Sequence, residues 1–217
     1  MLDPGELSTF ECKLHPFTTR AGVPGDGTCW IHGILYGVSS EYRKASLKVQ
    51  KEMAYELRRK ITDNLDYETF LSLRIEDRFI SQDNCYRKYI RGDETDSKVC
   101  FEAFKAFIAR PSQYLGPETT ELIGDLLDID IYTVREDLEV QPIPSTAFKT
   151  RRSVILLHLG NHYEPVGIGK DLGDKHPKFF FSPDDPLIAG MRKRQIDGWK
   201  TYKKIREDPS KSGEKKE

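Results

Sequence analysis

Gly25-Asp26-Gly27-Thr28-Cys29-Trp30-Ile31-His32 joins a glycine turn to a cysteine and to an apolar run that continues through Ile34, Leu35 and Tyr36. Gly25 and Gly27 can take positive φ without a Cβ penalty, so the backbone can fold sharply and aim its N–H groups at one point. If Trp30–Tyr36 is helical, Cys29 stands at the helix N-terminus, where unpaired amides and the macrodipole favour a thiolate. The same amides can hold a developing oxyanion, which makes this segment a candidate nucleophile loop. Taken alone, the octapeptide reads equally well as an ordinary turn with a buried cysteine capping a core helix.

A second block lies far downstream: Val154-Ile155-Leu156-Leu157-His158-Leu159-Gly160-Asn161-His162-Tyr163-Glu164-Pro165-Val166. Ser153–Leu159 is a dense apolar run of strand length, the pattern of a central strand. Gly160-Asn161 reads as a two-residue hairpin turn and His162–Val166 as the return strand. His162 then comes first after the turn, at the sheet rim, where it can face a helix N-terminus across a cleft. Side chains two apart along a strand point the same way, so Glu164 shares the face of His162 and can orient it. Asn161 is the other orienter within reach, although turn chemistry already accounts for it.

These residues predict acyl transfer. Cys29 attacks a carbonyl, His162 takes and returns the proton, and an acyl-enzyme is hydrolysed. A histidinium beside the thiolate would lower the cysteine pKa further, so a preformed ion pair is expected. Trp30 and Tyr163, adjacent to nucleophile and base, are expected to wall the cleft as well as fill the core. His32, one helical turn from Cys29, should pack under the loop, and His15, His158 and His176 read as structural.

Gly-Asp-Gly-Thr-Cys-Trp, followed at a distance by a strand, a turn and His162-Tyr163, resembles the signature of the ovarian-tumour (OTU) family of cysteine peptidases, most of them deubiquitinases. The resemblance spans about residues 20–168 through these two blocks. It implies an OTU-like (papain-like) α+β fold with Cys29 as nucleophile and His162 as base. It also implies an oxyanion loop supported by Asp26 and lined by the N–H groups of Asp26, Gly27, Thr28 and Cys29. Relatives usually carry Asp or Asn two residues after the histidine; here the residue is Glu164, one methylene longer. Ubiquitin, polyubiquitin or another ubiquitin-like modifier is the implied partner, and no cofactor or metal is implied. The family's variable ubiquitin-contacting arm would fall in residues 63–96, a stretch that reads equally well as a plain surface excursion.

Composition sets the outer limits. At 217 residues with 37% hydrophobic content, the chain can bury one substantial core. No stretch approaches the ~20 apolar residues of a membrane span. Cys12, Cys29, Cys85 and Cys100 are few and widely spaced. With no secretory pattern in Met1-Leu2-Asp3-Pro4, a reducing, cytoplasmic location is expected. The net charge of −1 divides into +5 over residues 187–217 and −6 over the rest. An acidic body is unlike a nucleic-acid binder and suits a substrate that offers positive charge, as the ubiquitin tail does.

Between the two blocks the reading is mainly helical. Ala45, Val49, Met53, Leu57 and Ile61 recur every four residues along a helix over about 41–61, with Lys44, Lys48, Lys51, Arg58 and Arg59 on its wet face. Further helices are expected near Tyr67–Ile75, over Val99–Ile108, and after Gly116-Pro117. Ile129–Val134 reads as a strand, with Val140–Ile143 able to pair with it in a small meander. The expected architecture is α+β, with helices packed around a small, mostly antiparallel sheet. Its divisions are a leader at 1–20, a catalytic domain at 21–170, and a basic helix with a disordered tail at 171–217. Asp185-Pro186 should open that helix, and Ile188, Met191, Gln195, Trp199 and Tyr202 form its stripe. The expected function is a cysteine deubiquitinase. The rivals are a ubiquitin-like-binding module with weak or lost chemistry, and a papain-like protease or acyl transferase for another substrate.

Overall fold

The computed structural model describes residues 1–10, 15–72, 97–135 and 149–207. Cys12 and Cys85, residues 73–96 of the expected arm, Val140–Ile143 and Ser210–Glu217 lie outside the described residues.

Among the described residues five strands form one sheet: β1 (Leu7–Phe10), β2 (Thr18–Ala21), β3 (Ile129–Val134), β4 (Arg152–Leu159) and β5 (His162–Ile168), in the spatial order β1-β2-β5-β4-β3. The helices among the described residues are α1 (Cys29–Val38), α2 (Ser40–Lys44), α3 (Leu47–Asn64), α4 (Tyr67–Ser72), α5 (Ser97–Ala109), α6 (Thr120–Leu127) and α7 (Pro186–Glu207), with a short 3-10 turn at Pro117–Thr119. The architecture is α+β with a mostly antiparallel sheet, as the sequence predicts.

The hairpin forms as read: Leu159 pairs with His162 across the turn, and Gly160 takes φ of 64°. The meander does not. β3 pairs with β4 in parallel, Ile129 opposite Arg152 through Val134 opposite Leu157. A parallel neighbour needs a connection long enough to bring the chain back to the same sheet end, and residues 135–151 supply that length. β4 is covered on both faces, which is why its run is continuously apolar. Val154 and Leu156 join the core that contains α1, while Ile155 and Leu157 join a second core with Ile188 and Met191 of α7. Helix α1 sits close on the sheet because Gly33 and Gly37 leave room: a Cβ there would come within 2.9 Å of Leu156 and 2.5 Å of Val154.

β1 and β2 extend this sheet from β5, so the sheet runs across the 20/21 division, which falls inside β2. At the other end Leu187 N–H donates to Asp185 Oδ1 at 3.0 Å, the expected N-cap. Ile188, Met191 and Gln195 are buried, and the two apolar side chains bring roughly 1.5–3 kcal/mol each to the docking of α7.

The expected long helix over 41–61 is broken at Ala45, whose backbone is extended, giving α2 and α3. Its buried face is also rotated from the expected one. Gln50, Ala54, Leu57, Arg58 and Ile61 are buried, whereas Val49 is exposed. Arg58 is therefore not on the wet face.

Candidate active site

Cys29 is the first residue of α1 and only 1% exposed. Its thiol sits among the backbone amides of Tyr163, Trp30 and Cys29 itself. Contact with the Tyr163 amide brings the thiol to the start of β5, one residue from His162. The loop before it is held from three sides. Gly27 takes φ of 84°, and a Cβ on it would lie 2.6 Å from the Ser112 carbonyl oxygen. Thr28 Oγ1 donates to the Pro111 carbonyl at 2.9 Å. Arg58, 1% exposed, donates to the carbonyls of Arg110, Gln113 (2.5 Å) and Gly27 (3.5 Å). The guanidinium thus ties the glycine turn to the segment after α5. Sequence reasoning missed this residue because a buried Arg on a Lys/Arg-rich helix looks like any solvated charge. The signal was its place in the 50-54-57-58-61 spacing.

Asp26 closes the turn by accepting from Thr28 N–H at 3.1 Å. Its other contact is His32 Nε2 at 3.3 Å, and His32 Nδ1 lies 2.6 Å from the Tyr42 hydroxyl. Burial pushes the Tyr42 hydroxyl pKa up, so that group keeps its proton within its hydrogen bond to Nδ1. Burial alone would raise the Asp26 carboxyl. The hydrogen bond and charge of His32, the Thr28 amide and Lys51 outweigh it and hold the carboxyl below its ordinary value. His32 packs under the loop, as its spacing from Cys29 predicts.

His162, 4% exposed, opens β5, and strand alternation puts Glu164 on its face. Glu164 is fully buried, with Oε1 3.9 Å from His162 Nε2, beyond hydrogen-bond distance. Oε1 instead accepts from Leu2 N–H at 3.1 Å, and Oε2 lies 3.3 Å from Arg20 Nη1. Asn161 is exposed in the hairpin turn, and Glu164 is the carboxylate beside the imidazole. Trp30 and Tyr163 are both buried, packed edge to face with ring centroids 4.8 Å apart; His158 stacks on Tyr163 at 4.5 Å.

The pKa shifts at both groups run against the expected ion pair. Burial pushes the Cys29 thiol up and the Asp26 charge adds to this, while the amides of Tyr163, Trp30 and Cys29 only partly offset them. Burial also pushes His162 down. Glu164 pulls it back up, and the α-ammonium and His32 add to the fall. Both shifts favour a thiol and a neutral imidazole over the ion pair. The helix N-terminus favours the thiolate, but desolvation of a nearly enclosed sulfur is the larger effect.

Among the described residues no group of three or more His, Cys, Asp or Glu is placed to hold a metal ion, and no helix is long and apolar enough to cross a membrane. No family model matches the chain, and no curated protein matches it. Similarity is found among solved structures. One is an ovarian tumor (OTU) domain in complex with ubiquitin, 13% identical, with a TM-score of 0.46 over 94% of this chain and 98% of that one. A second is the viral OTU domain protease from Farallon virus, 16% identical, with a TM-score of 0.46 over 79% and 96%. A third is the Hazara virus OTU bound to ubiquitin, 12% identical, with a TM-score of 0.39 over 76% and 90%. Likeness at this level assigns no residue a role; the α+β fold of this chain is similar to that of solved OTU domains.

Proposed function

We propose that this chain is a cysteine-dependent deubiquitinase, cutting the peptide or isopeptide bond at the C-terminus of ubiquitin through a thioester on Cys29. The observation that carries the reading is the thiol of Cys29, at the N-terminus of α1, lying against the Tyr163 amide beside His162. In this reading His162 takes the thiol proton as sulfur attacks the carbonyl and returns it to the departing amine; water then cleaves the thioester. Because Nε2 faces Glu164, Nδ1 is the nitrogen that works on the thiol. The N–H groups of Gly27 and Cys29 hold the oxyanion, on a loop fixed by the Thr28 N–H bond to Asp26 and by Arg58. Ubiquitin as substrate rests on the resemblance of the two motif blocks, and a reducing compartment would keep the thiol available.

One observation favours a second reading, a ubiquitin-like-binding module without turnover: the 3.9 Å gap leaves His162 Nε2 with no hydrogen bond to Glu164. A ubiquitin carrying a fluorogenic C-terminal amide separates the two. An enzyme releases a burst of fluorophore that Cys29→Ala abolishes. A binding module releases none, and the proposal then fails.

A further inference from the structure

Both oxygens of Glu164 are engaged before His162 comes within reach. Leu2 N–H donates to Oε1 at 3.1 Å, and the Arg20 guanidinium lies 3.3 Å from Oε2 as an ion pair that makes no hydrogen bond. Sheet register explains the second contact. Arg20 is opposite Val166 across β2 and β5, so Arg20, Val166 and Glu164 share one face, and Arg20–Glu164 is the diagonal pair. An unpaired buried carboxylate is costly, so the side chain settles where its partners are. A shorter Asp at 164 would draw the carboxylate back toward the backbone, away from those partners. The extra methylene of Glu fits a site whose anchor stands on the neighbouring strand.

We propose that Arg20 is a positioning residue for the hydrolysis: together with the Leu2 amide it fixes the Glu164 carboxylate beside His162, and so sets the orientation of the imidazole. This rests on the cysteine-peptidase reading above. Arg20 is 26% exposed at its side chain, so removing its head leaves no closed cavity. The charged groups that act on His162 are Glu164 on its own strand, His32 on α1, and the α-ammonium. Arg20 acts on His162 through Glu164.

The test is steady-state hydrolysis of ubiquitin with a fluorogenic C-terminal amide by the full chain and four variants. Arg20→Met should lower kcat by roughly tenfold or more, as expected for a displaced catalytic group, with KM within about twofold. Arg20→Lys should recover most of that loss. In a Glu164→Gln background Arg20→Met should change nothing further, and it should move the acid limb of kcat/KM only when Glu164 is present. If Arg20→Met folds poorly, Arg20→Lys and the double variant still carry the test, since one keeps the charge and the other removes the carboxylate it neutralises. Equal losses in both backgrounds, an effect on KM alone, or wild-type kinetics in Arg20→Met would overturn the assignment. Wild-type turnover that survives Arg20→Met unchanged removes this inference only; no turnover by the wild type removes the peptidase reading as well.

Discussion

Replacing Gly27 with alanine tests the loop at the point where it is least tolerant. Two costs are legible in the structure. A φ of 84° costs an L-residue about 1–2 kcal/mol. The added Cβ would then stand 2.6 Å from the Ser112 carbonyl oxygen, a backbone atom that cannot swing aside like a side chain. Moving that segment also disturbs the neighbouring carbonyls of Arg110 and Gln113, to which Arg58 donates, for about another 1–3 kcal/mol. The sum, about 2–5 kcal/mol, corresponds to a fall in Tm of roughly 4–20 °C for a chain of this size. Gly160→Ala is the control. It has φ of 64° with nothing within 4 Å of its Cβ, so it carries the first cost alone. Calorimetry of the two variants isolates the clash. Labelling of Cys29 by a ubiquitin probe should slow by about a hundredfold in Gly27→Ala, as for a catalytic group displaced by about 1 Å, and should hold in Gly160→Ala. Equal Tm values for both variants, with wild-type labelling in Gly27→Ala, would refute the loop geometry.

Two further outcomes follow. Arg58→Met leaves the carbonyls of Arg110, Gln113 and Gly27 without their donor and should cost about 3–5 kcal/mol in urea unfolding, against less than about 0.5 kcal/mol for exposed Arg59→Met; similar costs for the two would return Arg58 to a solvated role. With the neutral pair favoured, His162 must be unprotonated to accept the thiol proton, and burial sets its pKa below the ordinary imidazole value. kcat/KM should therefore fall only as pH drops through that lowered midpoint, and should hold on the alkaline side. A bell-shaped profile with an alkaline limb reporting loss of an imidazolium proton would instead restore the ion pair.

The sequence made the site's two halves legible because both are short-range. Gly27 and Gly160 mark the turns, and the apolar runs beside them carry the helix and strand that the turns connect. What was not legible depends on long-range register or on burial. Arg20 meets Glu164 only because β2 pairs with β5, a relation no local pattern contains. The parallel pairing of β3 with β4 is hidden in the same way, since strand direction leaves no mark on composition. On α3, Gln50 and Arg58 turn inward because Tyr42 O and three loop carbonyls wait for donors there, while Val49 faces water; a rule that buries apolar residues inverts all three. The upward push on the Cys29 thiol was hidden for a related reason. The helix terminus was visible in the sequence, and the enclosure that outweighs it was not.

The measurement that bears most directly on the account is peptide mapping of the adduct formed with a ubiquitin bearing a C-terminal thiol-reactive group. The account predicts a single modified peptide containing Cys29, absent in Cys29→Ala and strongly slowed in His162→Ala. Modification at Cys12, Cys85 or Cys100, or equal labelling of wild type and Cys29→Ala, would contradict it.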